Sequence, residues 1–417
     1  MESVAPWLGL LVLQPSPFCN IDCDYCYLPA RMEKRRMSWD VLEASIRQVY
    51  EADIIQDVLN IVWHAGEPLA VPREWYREAF QRIKAIAPDG AEVRHSFQSN
   101  GTLVSQEWCD FFKEHNVMVG LSIDGPEHIH DAHRKTRGGK GTHAGAMRAM
   151  KLLKQNGIDF HVIAVITKDA LDYPDEVFNF FLHNEVHNVG FNIEEVEGNH
   201  VTSTLTDAPA GRVEKFLRRI FELETQHAPL LEVREFANAR ELVRMGAPPT
   251  AEDGYPWYND QARPFGILAV DTDGNISTFS PELLGLKHER FGVFSFGNIL
   301  REGLYGAMEN EKFKLVLTEI NAGIKKCATT CPYYEFCGGG APANKLYENG
   351  TFDSSETMYC RYTTQLPLEL TLDYFEKKLA EEQITAAAGQ MPAATPAGAS
   401  QRPVKLPAIS QMAANPR

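Results

Sequence analysis

No stretch of this sequence is apolar for the ~20 residues that a membrane-spanning helix requires. The first thirty residues also lack the basic segment, apolar core and small-residue cleavage site of a secretory signal. A cytoplasmic protein with no membrane partner is therefore expected. Positive charge is in short supply, with 41 Lys and Arg against 56 Asp and Glu, a formal net charge of −15 and no basic run. The resulting far field repels nucleic acid, so no nucleic-acid partner is expected. Cysteine is sparse too: eight in 417 residues, unevenly spread, are too few for a secreted disulfide scaffold. Residues 385–417 contain no acidic residue and no periodicity and are rich in Ala and Pro, which predicts a disordered tail.

What is present is ample apolar material. At 44% hydrophobic and 23% charged, the chain has enough for one large α/β domain and a smaller one. The runs LLVLQ, VLNIVWH, EVRHSFQS, VMVGLSID, FHVIAVIT and VGFNIEEV are apolar or β-branched, as buried parallel strands are. Amphipathic stretches at about 38–53, 73–87, 105–115, 142–156, 174–184 and 207–226 follow them. Leu42, Ile46 and Val49 share one face of the first, and Gly157 ends the fourth. Six βα units in a row predict a parallel barrel, whole or incomplete, or a doubly wound open sheet, and either fold places its site at the carboxyl ends of the strands. From about residue 256 the rhythm changes to shorter segments rich in Gly, Pro and aromatics, which predicts a smaller, loop-rich, metal-held second domain over 256–384 after a core domain over 1–255.

The cysteines fall into two groups and one outlier. Cys19, Cys23 and Cys26 follow the first strand in a C-x3-C-x2-C pattern, with Pro15 and Pro17 stiffening the entry. A cubane 4Fe-4S cluster takes four thiolates, so a loop offering three leaves one iron open to substrate. A zinc site completed by a distant histidine, or inert buried thiols, are the plainer readings. Cys327, Cys331, Cys337 and Cys360 could close a second site completely, as a cluster or as a four-cysteine zinc site. Cys109, beside Trp108 and two phenylalanines, reads as a buried helix residue.

The run Cys19-Asn20-Ile21-Asp22-Cys23-Asp24-Tyr25-Cys26 resembles the cluster loop of radical S-adenosylmethionine enzymes, C-x3-C-x-aromatic-C. The resemblance implies a partial (β/α)6 TIM-like barrel, a 4Fe-4S cluster on the three cysteines, and S-adenosylmethionine cleaved to a hydrogen-abstracting 5′-deoxyadenosyl radical. Further segments fit in order. His64-Ala65-Gly66-Glu67-Pro68 looks like the family's GGEP motif, with Ala65 in place of the first Gly, and implies that Gly66 and Glu67 serve the methionine amino group. Gln98-Ser99-Asn100-Gly101-Thr102 resembles a TNGT segment near the cofactor. Ser122 and Asp124 are implied as ribose or carboxylate contacts, Arg134 as a partner for the methionine carboxylate, and Tyr25 as an adenine contact or cluster shield.

With that loop in place, the second cysteine group resembles the SPASM domain of peptide-modifying radical enzymes. The full pattern holds two auxiliary clusters, but here the G-x4-C position after Gly274 is Phe279, and the position four after Cys337 is Ala341. One auxiliary 4Fe-4S cluster is therefore expected, on Cys327, Cys331, Cys337 and Cys360. Enzymes that oxidise sulfatases carry an Asp where this chain has Ser280, which makes Glu282 the substitute candidate for the catalytic base. The segments TFSPELLG, CGGGAPANKLYENG and ETMYC look like those of maturases that form cyclophanes on ribosomal peptides, joining an aromatic ring to the Cβ of a residue two positions later. Thioether formation, epimerisation, sulfatase-type oxidation and a zinc-stabilised binding protein are the alternatives. The implied partners are a precursor peptide with a leader, recognised by the core's own surface, and an external electron donor such as flavodoxin or ferredoxin.

Overall fold

The structure is a computed structural model that describes residues 7–206, 208–209, 211–246 and 259–387. Ten strands form its main sheet: β1 (Leu10–Leu13), β2 (Val58–Trp63), β3 (Glu92–Ser99), β4 (Met118–Ser122), β5 (Phe160–Ile166), β6 (Asn188–Ile193), β7 (Glu232–Val233), β8 (Ile267–Val270), β9 (Asn275–Thr278) and β10 (Gly297–Asn298). Their order is β10-β9-β8-β1-β2-β3-β4-β5-β6-β7. From β8 to β7 every pairing is parallel, and β9 and β10 are antiparallel additions at one edge. The six strands read from sequence are thus β1 to β6, adjacent in chain order.

The intervening helices are α1 (Trp39–Glu51), α2 (Arg73–Ile86), α3 (Gln106–Glu114), α4 (His143–Gln155), α5 (Pro174–His183) and α6 (Arg212–His227). Each buries one stripe on the sheet. In α2, Trp75, Tyr76, Ala79, Phe80 and Ile83 face inward, and the Tyr76 ring meets Trp63 of β2 and Phe97 of β3 edge-on. Such pairs add ~0.5–1.5 kcal/mol beyond their buried area. Ser38 caps α1 by accepting from the Val41 amide.

The C-terminal part is more helical than its composition suggests. α8 (Glu311–Thr330) runs for 20 residues, capped by Asn310, in a region expected to be loop-rich. Its Phe313, Val316 and Ile320 supply the apolar stripe. α7 (Arg234–Met245) has no counterpart among the expected helices, and α9 (Leu366–Ala387) extends three residues past the expected domain end at 384. The rest of the tail expected to be disordered lies outside the described residues. A single apolar core joins Leu11 and Trp63 to Phe265, Phe279, Phe313 and Phe352, so it crosses the boundary expected near residue 255.

Candidate active site

The loop after β1 is fixed from three directions. Ile21–Cys23 pairs antiparallel with Arg134–Thr136, which sets Cys23 opposite Arg134. The Cys19 amide donates to the Arg31 carbonyl (3.1 Å) and the Asp24 amide to the His133 carbonyl (3.3 Å). From the end of β3, Asn100 Nδ2 donates to Asn20 Oδ1 (2.9 Å) and lies 3.8 Å from Cys19 Sγ. Thr102 joins the same network through Asn100 Oδ1 and Asn20.

The thiols are held where ionisation is costly without a cation. Burial, then the Glu67 carboxylate, push Cys19 up to about 11. Burial pushes Cys23 up to about 12 despite the opposing charge of Arg134. Bound iron would offset that cost, because thiolate is the form that ligates metal. Among the described residues, no three His, Cys, Asp or Glu side chains converge as ligands of one ion would.

At the end of β2 the chain reverses through two left-handed residues, Ala65 (φ 65°) and Gly66 (φ 130°). A Cβ on Gly66 would sit 2.3 Å from the Ser16 carbonyl, so this turn lies against the residues that lead into Cys19. The Glu67 amide donates to the Phe18 carbonyl (2.8 Å). The Glu67 carboxylate is buried and already satisfied: Oε1 accepts from the Leu69 amide (2.9 Å) and the Ser99 hydroxyl (2.8 Å), and Oε2 accepts from the Asn100 amide (2.8 Å). These bonds tie β2, β3 and the cluster loop together at the residue expected to serve a ligand's amino group. Burial raises it to about 7, against the pull of those hydrogen bonds.

Asp124 and Arg134 are likewise spent on each other. Arg134 Nε and Nη2 make a bidentate pair with Asp124 (2.9 and 3.0 Å). The Tyr25 hydroxyl donates to Oδ2 and the Val165 amide to Oδ1, so each carboxylate oxygen has two donors. Burial alone would raise Asp124, but the Arg134 charge and its hydrogen bonds hold it below the usual carboxylate range. The structure thus brings Tyr25, Asp124 and Arg134 together as one unit, with Asp124 and Arg134 buried and Arg134 paired to a protein carboxylate. Gln98 Nε2 donates to Ser122 Oγ (3.0 Å). A Cβ on the intervening Gly120 would come within 2.0 Å of Gln98 Oε1 and 2.6 Å of His161 Nε2.

The second cysteine group also converges. Cys327 closes the last turns of α8, Cys331 is its C-cap, Cys337 ends a short turn, and Cys360 sits where Thr357 accepts its amide (3.0 Å). All four line one small cavity. Lys345, 1% exposed, points Nζ at Cys327 Sγ (3.2 Å). A buried ammonium is tolerated beside negative charge, which four thiolates would supply if they held a cluster. The positions where a second auxiliary cluster would find ligands are filled with apolar groups: Phe279 is buried, 6.2 Å from and nearly parallel to Phe313, and Ala341 is buried.

Between the strand ends and this cysteine group lies an open cavity of about 290 Å³, lined in part by Glu195, Glu197, Arg234, Glu282, Cys337, Asn344 and Tyr359. Glu282 is a wall of this cavity, not a surface residue; the Ser280 hydroxyl donates to its carboxylate, and burial raises its pKa. Glu195 was hidden inside the apolar strand run VGFNIEEV, and Glu197 directly follows it. Both leave the carboxyl end of β6, where barrel and open-sheet enzymes place reactive groups, and that position was the available signal. Asn344 Nδ2 donates to Glu195 Oε2 (2.5 Å). Burial, and for Glu197 the adjacent Glu195 charge, raise both carboxyls. Tyr27 bridges the two regions, 3.4 Å from His64 Nε2 and within the fields of Glu282 and Cys26.

Comparison with known proteins agrees with this arrangement. Residues 13–181 match the profile of the radical SAM superfamily. The chain is 42% identical over 376 residues to the uncharacterised protein sll1766 of Synechocystis sp., covering 89% of this chain and 93% of that protein. The chain belongs to the radical SAM superfamily. It is therefore an enzyme, with a 4Fe-4S cluster and S-adenosylmethionine as cofactors. It is also 26% identical over 403 residues to a serine-type anaerobic sulfatase-maturating enzyme of Bacteroides thetaiotaomicron, covering 91% of this chain and 94% of that one. Its fold matches native anSMEcpe with bound AdoMet and Cp18Cys peptide at a TM-score of 0.70 and 21% identity, over 91% of this chain and 99% of the other. No helix among the described residues is long and apolar enough to cross a membrane.

Proposed function

We propose that this radical SAM enzyme is a maturase of a ribosomal precursor peptide and forms a carbon-carbon cyclophane, joining an aromatic ring to the Cβ of a residue two positions later. The observation that carries this reading is the remodelled second site. Phe279 and Ala341 replace two cluster ligands with packed apolar groups, and Ser280 stands where sulfatase-type enzymes carry an acid. The peptide complex of the structurally similar enzyme supports a peptide in the cavity.

In this reading Cys19, Cys23 and Cys26 hold the cluster of a partial-barrel core. When bound, the cluster and S-adenosylmethionine supply a radical that removes a hydrogen atom from a substrate Cβ. The chain's own groups do the rest. Gly66, Gln98, Asn100 and Ser122 shape the cofactor's surroundings at the strand ends, while Glu67 and the Tyr25–Asp124–Arg134 unit keep those ends in register. The cavity walls keep water and competing hydrogen donors from the substrate carbon. Closing the ring leaves one proton to be accepted, and Glu282 is placed for it, beside Glu195 and Glu197. Cys327, Cys331, Cys337 and Cys360 would hold one auxiliary cluster, an electron carrier because every iron is capped. An external donor such as flavodoxin or ferredoxin supplies the first electron.

Sulfatase-type oxidation is the second reading, favoured by the extent of the match to the Bacteroides enzyme. Co-expression with a short open reading frame encoded nearby, followed by tandem mass spectrometry, separates them. A crosslink removes two hydrogens and leaves the bridged segment resistant to fragmentation; an aldehyde also removes two hydrogens but leaves every backbone bond cleavable and reacts with hydrazide. Cys26→Ala should abolish deoxyadenosine release. Cys331→Ala should retain uncoupled cofactor cleavage and lose product.

A further inference from the structure

The chain carries a net charge of −15, yet its cluster loop lies under a positive surface. Two segments distant in sequence build it: Arg31–Arg36, just after the cysteines, and Lys135–Lys140, which begins within the strand paired to them. Arg137 Nη2 donates to the carbonyls of Cys19 (2.7 Å) and Arg31 (2.6 Å), clamping one segment to the other. Phe18, the residue before Cys19, lies between Lys34 (5.3 Å) and Arg137 (5.9 Å). Lys34, Arg36, Arg137 and Lys140 are exposed. Arg31 and Arg35 are matched by Asp22, Glu33 and Asp273, but Lys34, Arg36, Lys135, Arg137 and Lys140 form no ion pair among the described residues. Met32, 65% exposed, adds an apolar point within the basic ring.

We propose that this face is the docking surface for an acidic one-electron donor protein. The proposal rests on the radical SAM reading of the Cys19 loop. Electron tunnelling weakens steeply with distance, so a donor must meet the enzyme where the cluster ligands approach the surface. Here Cys19 is partly exposed, beside Phe18 and with its carbonyl held by the Arg137 guanidinium. A positive ring around a small apolar centre fits a transient redox encounter, in which charge raises the association rate and little area is buried. The donor gives up one electron and is oxidised by one; the cluster on Cys19, Cys23 and Cys26 is reduced by one, and no atom is exchanged. The substrate peptide has its own chamber, bordered by the carboxyls of Glu195, Glu197 and Glu282.

The test uses the reconstituted holoenzyme, its Lys34→Glu/Lys140→Glu variant and a purified oxidised flavodoxin. Calorimetric titration at low and high salt reads the dissociation constant without requiring turnover. The expected result is a constant that rises with salt for the parent and is weakened about tenfold or more in the variant, while dithionite-driven cofactor cleavage is the same in both. Equal affinities, or salt-independent binding, overturn the proposal. So does a variant that loses the precursor peptide and keeps flavodoxin, which would assign the face to the peptide. Failure of the parent to cleave the cofactor with dithionite would instead strike the radical reading, and leaves the binding result to judge the surface.

Discussion

At the scale of single residues, the motif carboxylates turned inward. Glu67 and Asp124 accept three and four hydrogen bonds from the protein itself. The neighbouring backbone shows where the motif is constrained. Ala65 holds φ at 65°, a conformation that costs a residue with a Cβ ~1–2 kcal/mol, whereas glycine adopts it freely but gives back part of the gain as unfolded-state entropy. Ala65→Gly should therefore leave stability unchanged or raise it by up to about 1 kcal/mol in denaturant titration. Gly66→Ala should do the reverse, because its Cβ would meet the Ser16 carbonyl at 2.3 Å. A loss above about 3 kcal/mol, or a fall in iron bound per chain as the loop is displaced, is expected. Lys345 offers a test at the other site. Its buried ammonium, 3.2 Å from Cys327 Sγ, favours whichever state of a bound cluster is more negative. Lys345→Met should lower the auxiliary reduction potential, read by potentiometric titration.

At the scale of elements, packing between β3 and α2 creates a pH-sensitive contact far from the cysteines. His95 stacks on Phe80 with ring centroids 3.8 Å apart, and its buried Nδ1 has no hydrogen-bond partner among the described residues. Burial, reinforced by the neighbouring His115, pushes its pKa down from 6.5 to about 3. A depressed histidine binds its proton more readily in the unfolded chain, so its contribution is complete above pH 6.5 and shrinks as pH falls toward 3. Between pH 7 and pH 5, His95→Phe should lose about 1–2 kcal/mol less stability than the parent; an identical pH slope in the two proteins would contradict the burial argument. The βα rhythm was legible because each unit carries its own period: apolar strand, then one-sided helix. The ribbon of Ile21–Cys23 with Arg134–Thr136 was not, since three-residue strands carry no periodicity and their pairing spans more than a hundred residues. α8 was hidden for a different reason. Its sequence neighbours are rich in Gly and aromatics, and only tertiary packing of Phe313 against Phe265 and Phe279 explains the helix's place. Glu195 and Glu197 were missed because a strand reading stops asking about chemistry at the strand's end.

At the scale of the whole molecule, the main sheet and the apolar core include residues from both sides of the composition change near residue 256. β8, from the C-terminal part, pairs in parallel with β1 along all four of its residues, Leu10 with Ile267 through Leu13 with Val270. Asn259 donates to the carbonyls of Cys337 and Gly340 (2.8 and 3.0 Å), so the segment entering the sheet also braces the second cysteine group. The arrangement couples the two sites: the loop carrying Cys19 leaves β1, and the segment carrying Ser280 and Glu282 leaves β9, two strands away in the same sheet. A chain ended at residue 255 would lose β8, β9 and β10 and expose β1 as an apolar edge, with Leu11 and Leu13 stripped of their C-terminal neighbours. Unpaired apolar edges recruit other chains. Such a chain should elute as aggregate in size-exclusion chromatography and unfold without a cooperative transition, whereas a stable monomer that still takes up one cluster would show that the barrel core folds alone and that β8 is only an accessory to it.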